Sequence, residues 1–314
     1  MQRAATPSQP HCGNLFCAAL LAGAGAFAGS AHAHGFGQRY DLPVPLWLYL
    51  TGAAAAVAVS FVVMAVFVHR GSPTAAYSRI NLLQWRIGRA LAHPLVLACC
   101  RAAAVALFVL VLVAGFLGDP APVKNIAPLM VWAIWWVGMA YISALLGNLW
   151  ALINPLDTAF AWAESVYSRL RRGAALSLEL RYPPALAVWP AAALFFGFIW
   201  AELVWEQSDV PAYVATAMLC YCAITWTGMF IFGRRTWLER GETFALIFSL
   251  LARFAPTEVR ASNARCEWNL RPYAVGLLVE EPVHASLMVL VIMMLATVTF
   301  DGFMETSLWA EIAD

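Results

Sequence analysis

Apolar residues gather into six runs, at 46–68, 96–117, 129–153, 185–204, 210–232 and 284–300. A helix needs about 20 such residues to cross the hydrocarbon core of a bilayer, and each run is close to that length. The spacing predicts an all-α, polytopic membrane bundle of six transmembrane helices. Charges fall between the runs, and their sign alternates. Arg70, Arg79, Arg86 and Arg89 separate the first run from the second, and Arg169, Arg171, Arg172 and Arg181 the third from the fourth. Arg234, Arg235, Arg240, Arg253, Arg260, Arg265 and Arg271 separate the fifth from the sixth. The remaining segments hold Arg39 and Lys124 beside Asp41, Asp119, Glu206, Asp209, Glu305, Glu311 and Asp314. Basic residues stay on the cytoplasmic face. The expected placement is therefore a multi-pass protein of the bacterial inner membrane with its mature N-terminus in the periplasm.

Composition narrows the classes. With 62% hydrophobic and 12% charged residues, the chain is too apolar for a soluble domain of its length. Nineteen basic and eighteen acidic residues nearly cancel, which argues against a nucleic-acid partner and leaves the bilayer as the main one. Lys124 is the only lysine and follows no glycine-rich turn, so a P-loop is excluded. Residues 1–33 read as a signal peptide: Arg3 gives the charge, Leu15 to Phe27 the apolar region and Ala31-His32-Ala33 the cleavage site. Cleavage there leaves His34 first in a single membrane domain, 34–314. The seven cysteines read as non-catalytic.

Residues 158–172 and 243–253 carry apolar residues at helical spacing but are too short to span. Interfacial amphipathic helices are expected, with re-entrant half-helices as the alternative. Arg101 is expected to snorkel to the inner surface, and Gly233-Arg234-Arg235 to anchor there. The sequence also repeats itself. Trp136-Val137-Gly138-Met139 returns as Trp226-Thr227-Gly228-Met229, ninety residues on, and Leu180-Arg181-Tyr182-Pro183 as Leu270-Arg271-Pro272-Tyr273. Between them, Gly147 to Trp150 answers Gly233 to Trp237, and Asp157-Thr158 answers Glu242-Thr243. This reads as a direct repeat of units 96–204 and 210–303, which makes Glu202 and Asp301 equivalent acids near outer helix ends.

The familiar catalytic signatures are missing from the sequence: no Gly-x-Ser-x-Gly elbow, no His-Glu-x-x-His helix and no glycine-rich dinucleotide turn. What stands out is an outer polar set. His34, as a first residue, offers an α-amine and an imidazole to a divalent metal ion, and Asp41 follows it closely. Glu202 and Glu206 are four apart and would share one helix face; Asp301 and Glu305 repeat that spacing. Asp41, Glu202, Glu206 and Asp301 are the candidate catalytic carboxylates, as general bases or as ligands of a metal that generates hydroxide.

His34 to Tyr49, Gly147-Asn148-Leu149-Trp150, Trp226 to Glu258 and Leu295 to Phe303 together resemble a bacterial family of polytopic membrane proteins labelled fenitrothion hydrolase. The resemblance covers the mature chain. It implies hydrolysis of an apolar organophosphorus triester, releasing a nitrophenol, and further spans beyond Phe303. It assigns no catalytic residue. The residues themselves equally allow a transporter or metal-handling permease without hydrolytic activity, given the direct repeat and the intramembrane acids.

Overall fold

The computed structural model describes residues 77–262, 265–278 and 283–304, with isolated positions between 51 and 62 and between 306 and 312. The signal segment, His34, Asp41, Glu305 and most of the first apolar run lie outside the described residues. Five helices are long and apolar enough to cross a membrane: Pro94–Leu117, Ile126–Leu145, Pro184–Leu203, Pro211–Phe232 and Ala285–Met304. They coincide with the second to sixth predicted runs. The protein is a multi-pass, mostly helical membrane bundle.

In chain order, β1 (Ile80–Asn81) and α1 (Arg86–Leu91) precede α2 (Pro94–Leu117). The next span, α3 (Ile126–Leu145), is followed by two helices, α4 (Trp150–Ile153) and α5 (Pro155–Leu170). Then come α6 (Trp189–Leu203), α7 (Pro211–Phe232), α8 (Arg234–Arg240) and α9 (Thr243–Leu251). A hairpin of β2 (Thr257–Ser262) and β3 (Arg265–Leu270) leads to α10 (Ala285–Met304). The connections rich in arginine share one end of the bundle, and the turns carrying Asp119, Glu206 and Asp209 share the other.

Small residues let α2 and α7 approach closely, as membrane helices do where lipid supplies no hydrophobic drive. A Cβ on Gly115 would collide with Ala215 and the Pro211 carbonyl. Asn125 fastens the α2–α3 turn. Its Nδ2 donates to the carbonyls of Ala114 (2.7 Å) and Asp119 (2.9 Å), and its Oδ1 accepts the Ala127 N–H. At the same end the Trp132 indole donates to Ser208 at 2.8 Å. Leu129–Val137 is wound as a π-helix. The wider turn brings adjacent Trp135 and Trp136 onto one aromatic cluster with Phe198, Phe244 and Phe248.

Of the two expectations for 243–253, the interfacial helix is not what forms; the re-entrant alternative describes it. Phe244, Ile247 and Phe248 are buried in the main core beside Phe195, so α9 sits inside the bundle. It gets there because the chain reverses at Gly233 (φ +86°) and α8 runs back along α7. The Trp237 ring then presses on Gly228 and Gly241, where any Cβ would overlap it. Helix α5 divides its faces along its length. Pro155, Leu156, Thr158 and Phe160 are buried, while Trp162, Val166 and Leu170 are exposed. The third predicted run, 129–153, also ends early: its helix stops at Leu145, and Gly147 (φ +141°) starts the turn into α4. The Arg101 Nε donates to the Leu152 carbonyl at 3.0 Å and ties α2 to α4.

A three-stranded antiparallel sheet in the order β1–β3–β2, not anticipated from sequence, closes the arginine-rich end. Its pin is Arg271, whose side chain is 8% exposed. This guanidinium donates to Glu258 (2.8 Å) and to the carbonyls of Ala252, Arg253 and Ala255, where α9 ends. Arg79 and Tyr77 bind the same carboxylate. Burial pushes the Glu258 carboxyl up, but the hydrogen bond from Arg79 and the charge of Arg271 outweigh it and leave it below the ordinary 4.5.

Two outcomes follow from this packing. Gly228→Ala forces its methyl into the Trp237 ring and is expected to cost about 1–3 kcal/mol by overpacking, read as a lower melting temperature of the purified protein. The Glu258 cluster contributes fully above pH 4.5, and its contribution is lost as the pH falls through the lower folded-state value. Acid titration should therefore show a destabilising step in that window. Arg271→Ala should weaken the step, since Arg79 still holds the carboxylate, and cost about 3 kcal/mol at neutral pH, because Glu258 loses a partner in a buried pair.

Candidate functional site

At the end opposite the arginines, the structure brings together some of the expected acids and separates others. Glu202 lies in the last turn of α6 and Asp301 near the end of α10, close enough for their charges to interact. These two helices pack along each other, which is how acids from distant segments meet. Glu206 does not share a helix face with Glu202. Helix α6 ends at Leu203, and Glu206 sits exposed in the turn that leads to Pro211. His34 and Asp41 are outside the described residues. Among the described residues no three His, Cys, Asp or Glu side chains converge as a metal-binding group.

A second site lies in the interior and is built by the re-entrant turn. Glu242 is 0% exposed. It is the N-cap of α9, and its carboxylate accepts from the Phe244 N–H at 3.2 Å and the Ala245 N–H at 2.5 Å. A helix starting inside a bundle needs such a cap, because its first N–H groups have no carbonyl partner and no bulk water. The carboxylate also accepts the Tyr221 hydroxyl at 2.5 Å. Tyr221 is the eleventh of the 22 residues of α7. At about 1.5 Å rise per residue it lies roughly 15 Å from either end of that helix, near the middle of the membrane. Thr243 donates to the Ala191 carbonyl at 2.8 Å and holds the tip against α6. The Trp150 indole lies beside the carboxylate, short of hydrogen-bond geometry. Rings of Trp135, Trp150, Tyr221, Phe244 and Phe248 enclose the position.

No basic side chain is paired with Glu242 among the described residues; its partners are a phenol and backbone N–H groups. A charge at this depth without a counter-charge is costly, and ionisable groups there are functional candidates by default. The cheapest way to neutralise it is a proton. The group is therefore suited to take up and release one.

Between this site and the arginine-rich end stands an ion-pair network. Arg234 Nη1 is 3.2 Å from Asp157 Oδ1, and its Nε is 3.5 Å from Glu164. Arg234 thus bridges α8 to α5. Burial raises the Asp157 carboxyl above its ordinary value, opposed by the charges of Arg234 and Arg101. Burial likewise raises Glu164, against Arg234. The sequence pairing of Asp157 with Glu242 is displaced by three residues. The structural counterpart of Glu242 is Asn154, which caps α5 by accepting the N–H groups of Leu156 and Asp157.

Comparison of the chain with protein-family models, with curated proteins and with solved structures finds no match in any of the three. The functional reading therefore stands on the geometry. Sequence reasoning singled out the outer acids and passed over Glu242 except as a term in the repeat. One signal was available: Glu242 is a lone acid directly before the apolar run Thr243–Leu251, which is the signature of a capped buried helix. If Glu242 holds a proton inside the bundle, the infrared spectrum of the purified protein should carry a protonated-carboxyl band that vanishes in Glu242→Gln. An identical spectrum for that variant would remove Glu242 as a proton carrier.

Proposed function

We propose that the protein is a proton-coupled cation permease of the bacterial inner membrane, with its mature N-terminus in the periplasm and its arginine-rich end in the cytoplasm. The observation that carries this reading is Glu242, enclosed near mid-membrane at the tip of a re-entrant helix pair and without a cationic partner among the described residues. Transporter sites are commonly built where broken helices from repeated units meet at the midplane. The orientation is supported by the arginine bias of alternate connections. Glu202 and Asp301 at the opposite end form an acidic entrance that attracts a divalent cation, and Glu242 carries the counter-proton.

A second reading, a hydrolase of organophosphorus triesters, is favoured by the same Glu202–Asp301 pair. An apolar triester reaches outer helix ends laterally from the lipid, and a carboxylate there can act as general base toward water. The two readings make different residues essential. Reconstituted vesicles with a trapped pH dye, challenged in turn with Zn²⁺, Ni²⁺, Co²⁺ and Mn²⁺, should show metal-driven proton flux that Glu242→Gln abolishes. Equal flux in wild type and Glu242→Gln would overturn the permease. Nitrophenol release from fenitrothion by the purified protein, lost in Glu202→Gln and kept in Glu242→Gln, would establish the hydrolase in its place.

A further inference from the structure

A cavity of about 270 Å³ lies at the arginine-rich end, where α4, the end of α9 and β2 meet. Ala151, Leu152 and Val259 give it apolar walls, while Asn148, Arg253 and Arg271 bring polar groups. Its charge is not balanced. Glu258 is the one acid among the described lining residues, and two guanidiniums already meet its carboxylate, Arg79 at 2.5 Å and Arg271 at 2.8 Å. That pair of cations leaves a positive surplus, and Arg253 brings a further guanidinium to the lining. A cleft of one sign with low-dielectric walls concentrates ions of the other. The cavity therefore favours an anion.

Donors remain to hold one. Arg271 uses four of its five N–H groups, on Glu258 and on the carbonyls of Ala252, Arg253 and Ala255. Asn148 accepts the Ala151 N–H with its Oδ1, and its amide N–H groups have no partner among the described residues. The surroundings indicate what carries the anion. Thr257, which also lines the cavity, donates its hydroxyl to the Leu146 carbonyl just past the α3 span. Leu145 and Leu146 are exposed there, and so is Phe254 after α9. A hydrocarbon chain can lie on these side chains beside the charged cavity. Sites that enclose a drug-sized ligand run to roughly 300–1,000 Å³; this one is slightly smaller and suits a headgroup whose chains stay outside.

We infer that the cavity binds the phosphate of an anionic phospholipid, held by Arg253, the remaining Arg271 N–H and the Asn148 amide, with the acyl chains over Leu145 and Leu146. Basic pockets between membrane helices take anionic headgroups in this way, and hydrogen bonds from a guanidinium to phosphate are among the strong ones. The bound headgroup joins the two halves of the bundle, because Asn148 precedes α4 while Arg253 and Arg271 follow α9 and β3. The site goes beyond the permease reading and does not depend on it, since neither Glu242 nor Glu202 takes part.

Native mass spectrometry of the purified full chain tests this, with phosphatidylglycerol and phosphatidylcholine of identical chains as probes. One phosphatidylglycerol per chain is expected to bind in preference to phosphatidylcholine. Arg253→Gln removes a cation from the lining and is expected to weaken that binding about tenfold, the loss of a charge-assisted hydrogen bond. Ala151→Leu places a larger side chain at an exposed position of the cavity wall and is expected to weaken it as much. Arg169→Gln, which removes an exposed arginine outside the cavity, is expected to leave it unchanged. Wild-type binding in Ala151→Leu overturns the site, and so does a protein that takes both lipids equally. Ala151→Leu decides alone if Arg253→Gln does not fold. Inorganic phosphate is the third probe. A melting temperature raised by phosphate as much as by phosphatidylglycerol, and not raised in Arg253→Gln, would keep the anion site and overturn the lipid as its carrier.

Discussion

A helix that starts inside a bilayer presents N–H groups where bulk water cannot reach them, and this shapes the centre of the bundle. Helices α5 and α9 both start there. Each is capped by a side chain placed immediately before it, Asn154 for α5 and Glu242 for α9. Remove either cap and the helix start has no partner for its donors. The caps in turn dictate the approach. Gly147 and Gly233 take positive φ to reverse the chain, and the short helices α4 and α8 each bury one tryptophan, Trp150 and Trp237.

The same order of parts thus occurs twice. A span is followed by a positive-φ glycine, a short helix with a buried tryptophan, a capped second helix and a 3₁₀ turn, and then by another span, with the β2–β3 hairpin inserted before the turn in the second half. The two halves differ in the chemistry of the cap. Asn154 is neutral at every pH and can only bond. Glu242 can also change charge, and it does so beside a phenol and not beside a guanidinium. The half that ends in α10 therefore carries the ionisable interior group, while the other half supplies Asp157, paired with an arginine and open to the aqueous end.

The spans were legible because a run of about 20 apolar residues has few other structural outlets; four of the six lie within a few residues of the observed helices, and the run at 129–153 overshoots its helix, which stops at Leu145. The re-entrant pair was legible only as an alternative to an interfacial helix. Arg234 to Leu251 is neither long enough to span nor polar enough to be a loop, and only the conformation at Gly233 sends it inward. The sheet was more readable than it was read. Glu267-Trp268-Asn269-Leu270 alternates polar and apolar residues, the period of a strand. At the site, Glu202 and Asp301 were found because the repeat aligned them. Glu206 was misplaced because helical spacing was carried past Leu203, where the helix had stopped. Glu242 was overlooked since a cap and a working acid look alike in one dimension.

One span is shorter than its neighbours. Regular helix in Pro184–Leu203 begins only at Trp189, giving 15 residues, or about 22 Å against a hydrocarbon thickness of about 30 Å. The missing length is filled by the 3₁₀ turn Pro184–Leu186 and by extended chain before it, whose Leu178 and Leu180 N–H groups bond the last carbonyls of α7 while Tyr182 donates to Ala187. Lipid beside this flank has to thin to meet it, and mismatch of that kind costs a fraction of a kcal/mol per ångström. The molecule is accordingly lopsided in its fit to the bilayer. A bilayer that thins at low cost, such as a short-chain one, accommodates this flank better than a thick one.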